Sequence, residues 1–253
     1  MRNGFRVQRL VALVALGLVL AIGRTPALSI DELVAKHIAA RGGLDALRAV
    51  KTLRLTGRLI FVGAGFELAY AELLKRPGLA RLEYSTQGMT GVQAWNGTAG
   101  WQIAPFQGRK DPERTSRDDN KGIIDDADLD GPLVDAAAKG STLTYLGTED
   151  VDGTDAHKIK VSEKDGDTLT VFLDPDYFLT IRTRYQHTVR GAETQSETDF
   201  GNYEKVNGVL IPYSYEAGSP NAPRSQKIVL DKVEMNVPVD DALFAFPAAP
   251  HQE

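Results

Sequence analysis

The residues best suited to chemistry are few and scattered along this 253-residue chain. Asp126-Ala127-Asp128-Leu129-Asp130-Gly131 copies the first half of a calcium loop, with carboxylates at positions 1, 3 and 5 and glycine at position 6. The second half fails. Position 7 is Pro132, and position 12, where a bidentate glutamate closes such loops, is Ala137. No metal site is expected, and the carboxylates read as acidic residues favoured by the dipole of a following helix. Of His37, His157, His187 and His251, only His187 has a conceivable partner for base chemistry, Asp199 across a hairpin. A solvent-facing strand histidine is the plainer expectation. There is no cysteine, no Gly-x-Ser-x-Gly elbow, no His-Glu-x-x-His and no phosphate loop. Gly63-Ala64-Gly65 lacks a third glycine and reads as a hairpin turn, as does Asn96-Gly97-Thr98 despite matching a glycosylation acceptor. Neither a catalytic residue nor a cofactor is predicted.

With 42% hydrophobic and 25% charged residues, the chain has the composition of a folded protein with a sizeable core. Its net charge of −5 hides an asymmetry, because residues 1–29 hold Arg2, Arg6, Arg9 and Arg24 and no acid. Without them the balance is −9, a surface that repels phosphate backbones and anionic headgroups, so no nucleic-acid partner is expected. Those first residues read as an export signal: a basic start, an apolar run from Leu10 to Ile22 broken only by Gly17, and small residues around Pro26-Ala27-Leu28-Ser29. The run is shorter than the roughly 20 apolar residues that span a bilayer. The expectation is a signal over residues 1–29, cut after Ala27 or Ser29, and a single periplasmic domain over 30–253 that is a monomer without disulfides.

Beyond the signal the pattern begins helical. Leu33, Val34, Ile38 and Ala39 recur at helical spacing behind Ser29 or Asp31 as a cap, Gly42-Gly43 ends the helix, and a second short one carries Leu44, Leu47 and Val50. From Thr52 the period becomes two, with Leu53, Leu55, Leu59 and Phe61 alternating against Arg54, Thr56 and Arg58. A returning strand carries Phe66, Leu68 and Tyr70 up to Pro77; Leu82 with Tyr84, Val92 with Ala94, and Trp101 with Ile103 continue a five-strand meander. The acidic stretch Arg109 to Gly140 breaks the rhythm, and two short helices around Gly131-Pro132 are predicted there. Seven more strands follow, seven in addition to the first five, for about twelve in all and mostly antiparallel. Such a sheet, with Leu55, Leu59, Phe61, Phe66, Leu68, Tyr70, Leu82, Tyr84, Trp101 and Ile103 on one face, must curl around something, the middle helices or an apolar ligand, and on pattern alone a plain packed core accounts for most of these residues.

Three motifs in order, Leu74-Lys75-Arg76-Pro77, Trp95-Asn96-Gly97-Thr98-Ala99-Gly100-Trp101-Gln102-Ile103-Ala104-Pro105-Phe106 and Val239-Asp240-Asp241-Ala242-Leu243-Phe244, resemble the LolA-type outer-membrane lipoprotein-sorting proteins. The resemblance extends over nearly the whole mature chain. It implies a mostly β fold, an incomplete antiparallel β-barrel with a helical lid enclosing an apolar cavity for acyl chains. It implies a periplasmic carrier that is not an enzyme, with lipid or acylated lipoprotein as cargo and membrane proteins as donor and acceptor. In the carriers an arginine of the Lys-Arg-Pro motif binds the lid and controls opening; the matching residue is Arg76. A different class of reading keeps the same cavity as a sensor or interaction module, and an envelope-lipid enzyme is the least favoured.

Overall fold

A computed structural model describes residues 28–248. The predicted signal lies outside the described residues apart from Leu28 and Ser29, which belong to the fold. Ser29 caps helix α1 (Ile30–Ala40) in a reciprocal box with Glu32, its hydroxyl accepting from the Glu32 N–H while Glu32 accepts from the Ser29 backbone at 2.8 Å. Helix α2 (Leu44–Ala49) follows, and Leu33 and Leu47 are fully buried beneath these two helices.

The rest is one antiparallel sheet of thirteen strands. The first six are β1 (Thr52–Phe61), β2 (Phe66–Lys75), β3 (Leu79–Thr86), β4 (Met89–Trp95), β5 (Gly100–Ala104) and β6 (Arg109–Thr115). After helix α3 (Lys121–Asp126) come β7 (Thr142–Val151), β8 (Thr154–Ser162), β9 (Thr168–Leu173), β10 (Thr180–Val189), β11 (Ala192–Val206), β12 (Val209–Gly218) and β13 (Gln226–Met235). Their spatial order is β6-β5-β4-β3-β2-β1-β13-β12-β11-β10-β9-β8-β7. The sheet does not close, because β6 and β7, consecutive in the chain, form its two opposite edges.

Two expectations for the middle segment are corrected. Arg109–Thr115 is a further strand rather than a break in the strand rhythm; as an edge strand it tolerates Pro112, and its exposed charges discourage pairing with another chain. Only one α-helix forms there, α3, and the Pro132 stretch is a series of turns. Gly131 and Asp135 adopt left-handed conformations (φ 84° and 52°) that interrupt a helix, and Asp135 is held by Arg48 at 2.7 Å.

Pairing places β2 and β10 five strands apart, roughly 24 Å across a flat sheet. Tyr70 of β2 and Tyr185 of β10 nevertheless line one cavity, so the sheet is strongly curled. Residues 116–141 cross its concave side from one edge to the other. Ile123 and Ala127 pack into the larger inner core with Leu53, Leu55, Tyr70 and Trp95, while Leu133 joins Ile159, Val161, Leu169 and Val171 in a second one under α1. One crossing segment thereby ties both halves of the sheet together. It is pinned at β5, where Gly100 leaves room for Asn120: a Cβ there would lie 2.2 Å from the Asn120 side chain.

The outer face also has cores of its own. Phe172 is fully buried there beneath Lys158 and Arg184, amid cross-strand ion pairs of Arg182 with Asp199 and of Arg184 and Arg224 with Glu197.

Candidate functional site

Strand register decides which predicted cavity residues share a face. Leu55 pairs with Glu72, Glu72 with Leu82 and Leu82 with Gln93, which makes one inner row; Tyr70 with Tyr84, Leu59 with Leu68, and Phe61 with Phe66 lie on the same face. Trp101 and Ile103 do not. The row Arg54, Leu73, Arg81, Ala94, Trp101 is the outer one, and Ile103 joins it through Val92. There the C-terminal segment covers them: Trp101 Nε1 donates to Phe244 O at 3.0 Å, and the Phe246 ring meets Trp101 edge-on at 6.4 Å. Placing these two on the apolar inner face is therefore corrected, and the physical reason is a second small core on the outer side of β4 and β5.

The inner face and the crossing segment enclose a cavity of about 400 Å³. Its wall includes Leu53, Leu55, Tyr70 and Leu74 from β1 and β2, Ile228 from β13, Tyr215 and Ile211 from β12, Phe200 from β11 and Tyr185 from β10. Leu55 and Tyr70 are thus the two predicted residues on its wall. Leu59 and Leu82 pack against the larger inner core, Leu59 opposite the cavity-lining Ile228. Leu68 is buried beside Leu59. Phe61 and Phe66 stack at 4.6 Å by the β1–β2 turn, and Tyr84 stacks on Phe106 at 5.8 Å.

Arg76 sits where β2 ends and fastens three elements. Its Nε donates to Val50 O at 2.7 Å, its Nη2 to Leu47 O at 3.2 Å, and both terminal nitrogens reach the Asp130 carboxylate at 2.6 Å. These bonds hold the Asp130 carboxyl below its usual range. Arg41, enclosed by protein, adds a bond from Nη1 to the Asp130 carbonyl at 2.6 Å. Asp128 meanwhile accepts from Lys139 at 2.5 Å. The three carboxylates that imitate a calcium loop therefore point to three different places, two of them to cations and Asp126 to the cavity.

His187 does not meet Asp199. The β10–β11 register puts His187 opposite Thr194 on the inner face and Asp199 opposite Arg182 on the outer. His187 instead approaches Asp125 of α3, Nε2 to Oδ2 3.2 Å, a contact that raises the histidine's pKa and fixes the crossing segment to β10. Nearby, the Glu163, Asp165 and Asp167 carboxylates lie within 4.8 Å of one another, but Asp167 is already taken by the Lys121 ammonium and the Thr188 N–H.

Four acidic residues line the cavity, Glu72, Asp125, Asp126 and Asp128, and the sequence pattern assigned none of them there. Glu72 is 6% exposed, and burial pushes its carboxyl to about 7, opposed by the hydrogen bond it accepts from the Tyr70 hydroxyl at 2.8 Å. Its signal was parity: Leu68, Tyr70 and Glu72 are alternate residues of one strand, so a carboxylate on the apolar face was readable. Asp126 gave no such signal, because its position follows from where the crossing segment lies. Asp126 is an exposed residue that borders the cavity, and desolvation by the protein around it, with Glu72 and Asp125 nearby, raises its pKa well above the ordinary value. His37, at the cavity wall, is pushed down to about 4 by burial and by Arg41, although its Nδ1 lies 2.9 Å from Phe178 O.

No protein-family model matches the sequence, and a search of curated proteins returns no match. Solved structures do match in three dimensions. A DUF1329 family protein from Desulfovibrio piger aligns with a TM-score of 0.59 at 14% identity, over 85% of this chain and 97% of that one. A LolA superfamily protein from Nitrosomonas europaea gives 0.58 at 12% identity, over 87% and 98%. A domain from Vibrio parahaemolyticus named as an outer membrane lipoprotein-sorting protein gives 0.56 at 12%, over 84% and 94%. The likeness runs along nearly the whole of each chain. With its single unclosed antiparallel sheet curled around a crossing segment, this chain has the LolA-like fold.

Proposed function

We propose that this protein is a periplasmic carrier that shelters the acyl chains of a lipid or lipoprotein in the cavity between its curled sheet and residues 116–141. The observation that carries the reading is the cavity itself: about 400 Å³, walled by apolar and aromatic side chains of β1, β2 and β10–β13 and spanned by one segment on its open side. Hiding an alkyl chain from water is worth about 0.8 kcal/mol per methylene, or roughly 12 kcal/mol for a chain of about 16 carbons. A rigid pocket would then be too retentive, and a segment whose displacement costs free energy supplies the means of release. Arg76 is suited to set that cost, since it joins β2 and α2 to Asp130 of the crossing segment. On this reading the protein performs no chemistry on its cargo, and membrane proteins act as donor and acceptor. The names of two fold neighbours, which refer to LolA and to lipoprotein sorting, agree with it.

Mass spectrometry of organic extracts from protein purified out of its native periplasm tests this. Stoichiometric acylated molecules are expected. An extract with none, together with no displacement of an apolar dye by long-chain ligands, would reject the carrier reading.

A further inference from the structure

The cavity departs from a plain hydrocarbon container in one respect. Glu72 and Asp126 both face it, from β2 and from α3, and each lies in the electrostatic field of the other. The Tyr70 hydroxyl serves one oxygen of Glu72; among the described residues, no donor serves its Oε1 or either oxygen of Asp126. The charges acting on Asp126 are other carboxylates, Glu72 and Asp125. Arg41, the cation on the same wall, is engaged with the Asp130 carbonyl and acts on Asp128 and Asp130 instead. Thr183, 7% exposed on the β10 side of the cavity, likewise has an Oγ1 without a partner. Among the described residues, the Tyr70 hydroxyl is thus the one side-chain donor bonded to this pair of carboxyl groups in a space walled largely by apolar and aromatic side chains, an arrangement that a ligand bringing donors and positive charge would complete.

We propose that the cavity binds amphiphiles carrying a cationic nitrogen, the ammonium lying between Glu72 and Asp126 and the hydrocarbon along Leu55, Phe200 and Ile228. An ammonium brings three donors and one positive charge, which is what two facing carboxyl groups lack. A carboxylate-headed ligand would bring a further negative charge to a site that already holds two acidic groups, and an alcohol would satisfy one acceptor without neutralising anything. The proposal rests on the carrier reading and names the class of its cargo. The raised pKa values of both groups agree with it, since they mark carboxyls that no protein cation stabilises.

Displacement of an apolar dye by dodecylamine, dodecanol and dodecanoate, each below its micellar concentration at pH 7.5, separates the possibilities in the unmodified protein. Dodecylamine should bind about tenfold or more tightly than dodecanol, with dodecanoate weakest, as a charge-assisted bond in an enclosed site predicts. In Asp126→Asn and Glu72→Gln the advantage of the amine should shrink severalfold while dodecanol binding holds. Equal binding of amine and alcohol to the unmodified protein overturns the proposal and leaves the carrier reading standing, as does an amine preference that survives both substitutions. If none of the three ligands displaces the dye, both readings fall together.

Discussion

Arg76 and Asp130, 54 residues apart in the chain, are joined by two hydrogen bonds of 2.6 Å, one from each terminal guanidinium nitrogen to each carboxylate oxygen. The pair connects the end of an inner strand to the segment that crosses the concave side, so its geometry bears on how that segment moves. Removing one partner of such a largely enclosed pair costs about 3 kcal/mol, because the other charge is left unpaired. Arg76→Leu should therefore remain folded but exchange amide hydrogens faster across residues 116–141 and release bound dye sooner. Arg76→Lys should fall between, since an ammonium cannot reproduce the paired geometry and the bonds to Leu47 and Val50 together. Unaltered exchange in the segment would show that Arg76 does not restrain it.

Strand parity gives a second test. Leu59 lies on the inner face opposite Ile228, whereas Arg58 lies on the outer face in loose pairs with Glu67 (3.6 Å) and Asp231 (3.9 Å). Leu59→Glu should weaken dye binding, because its carboxylate lies beside the wall residue Ile228, and stay folded, because the half-buried position lets water reach the new charge. Arg58→Glu should bind as the parent does, exposed pairs of that kind being worth little. Failure of Leu59→Glu to fold would mark the position as packed core.

Glu72 predicts a specific pH dependence. Its carboxyl titrates near 7 in the folded protein against an ordinary 4.5, so between these values the folded state keeps a proton that the unfolded chain releases. The stability contributed by this group is complete below about 4.5 and is lost as pH rises through 7. Thermal melts from pH 5 to pH 8 should accordingly show the unmodified protein losing stability relative to Glu72→Gln, with the variant the more stable at pH 8. Glu163, also raised to about 7, is common to both proteins and cancels. Parallel melting curves across the range would mean that Glu72 is not held in the unsolvated position described.

Calcium should leave the melting temperature unchanged. Asp128 and Asp130 already accept from Lys139 and Arg76, and a cation would have to displace both. A rise of several degrees on adding calcium to metal-free protein would show a native-state site and contradict this geometry.

The sequence by itself determined most elements and their hydrophobic parity. Alternation in Leu53 to Phe61 and Phe66 to Lys75 is a local property of an extended chain, so the inner face of β1 and β2 was legible before any contact was known. The turn at Asn96-Gly97 was legible for the same reason: the Asn96 side chain accepts from the Thr98 and Ala99 N–H groups within its own turn. What periodicity does not carry is which of two opposite faces is inner once several strands are paired. Trp101 looked like Leu82 in sequence, yet register put it on the other side, under Phe244, and it took the C-terminal segment to make that side a core. The β6 strand was hidden because an edge strand needs neither apolar alternation nor freedom from proline. Asp126, Asp128 and Asp130 are alternate residues of one short stretch, and their separation into cavity, Lys139 and Arg76 depends on partners 11 and 54 residues away for the latter two. Tertiary structure decided those roles because a carboxylate's chemistry is set by the charges and solvent around it, and here both come from strands that only the curled sheet brings near.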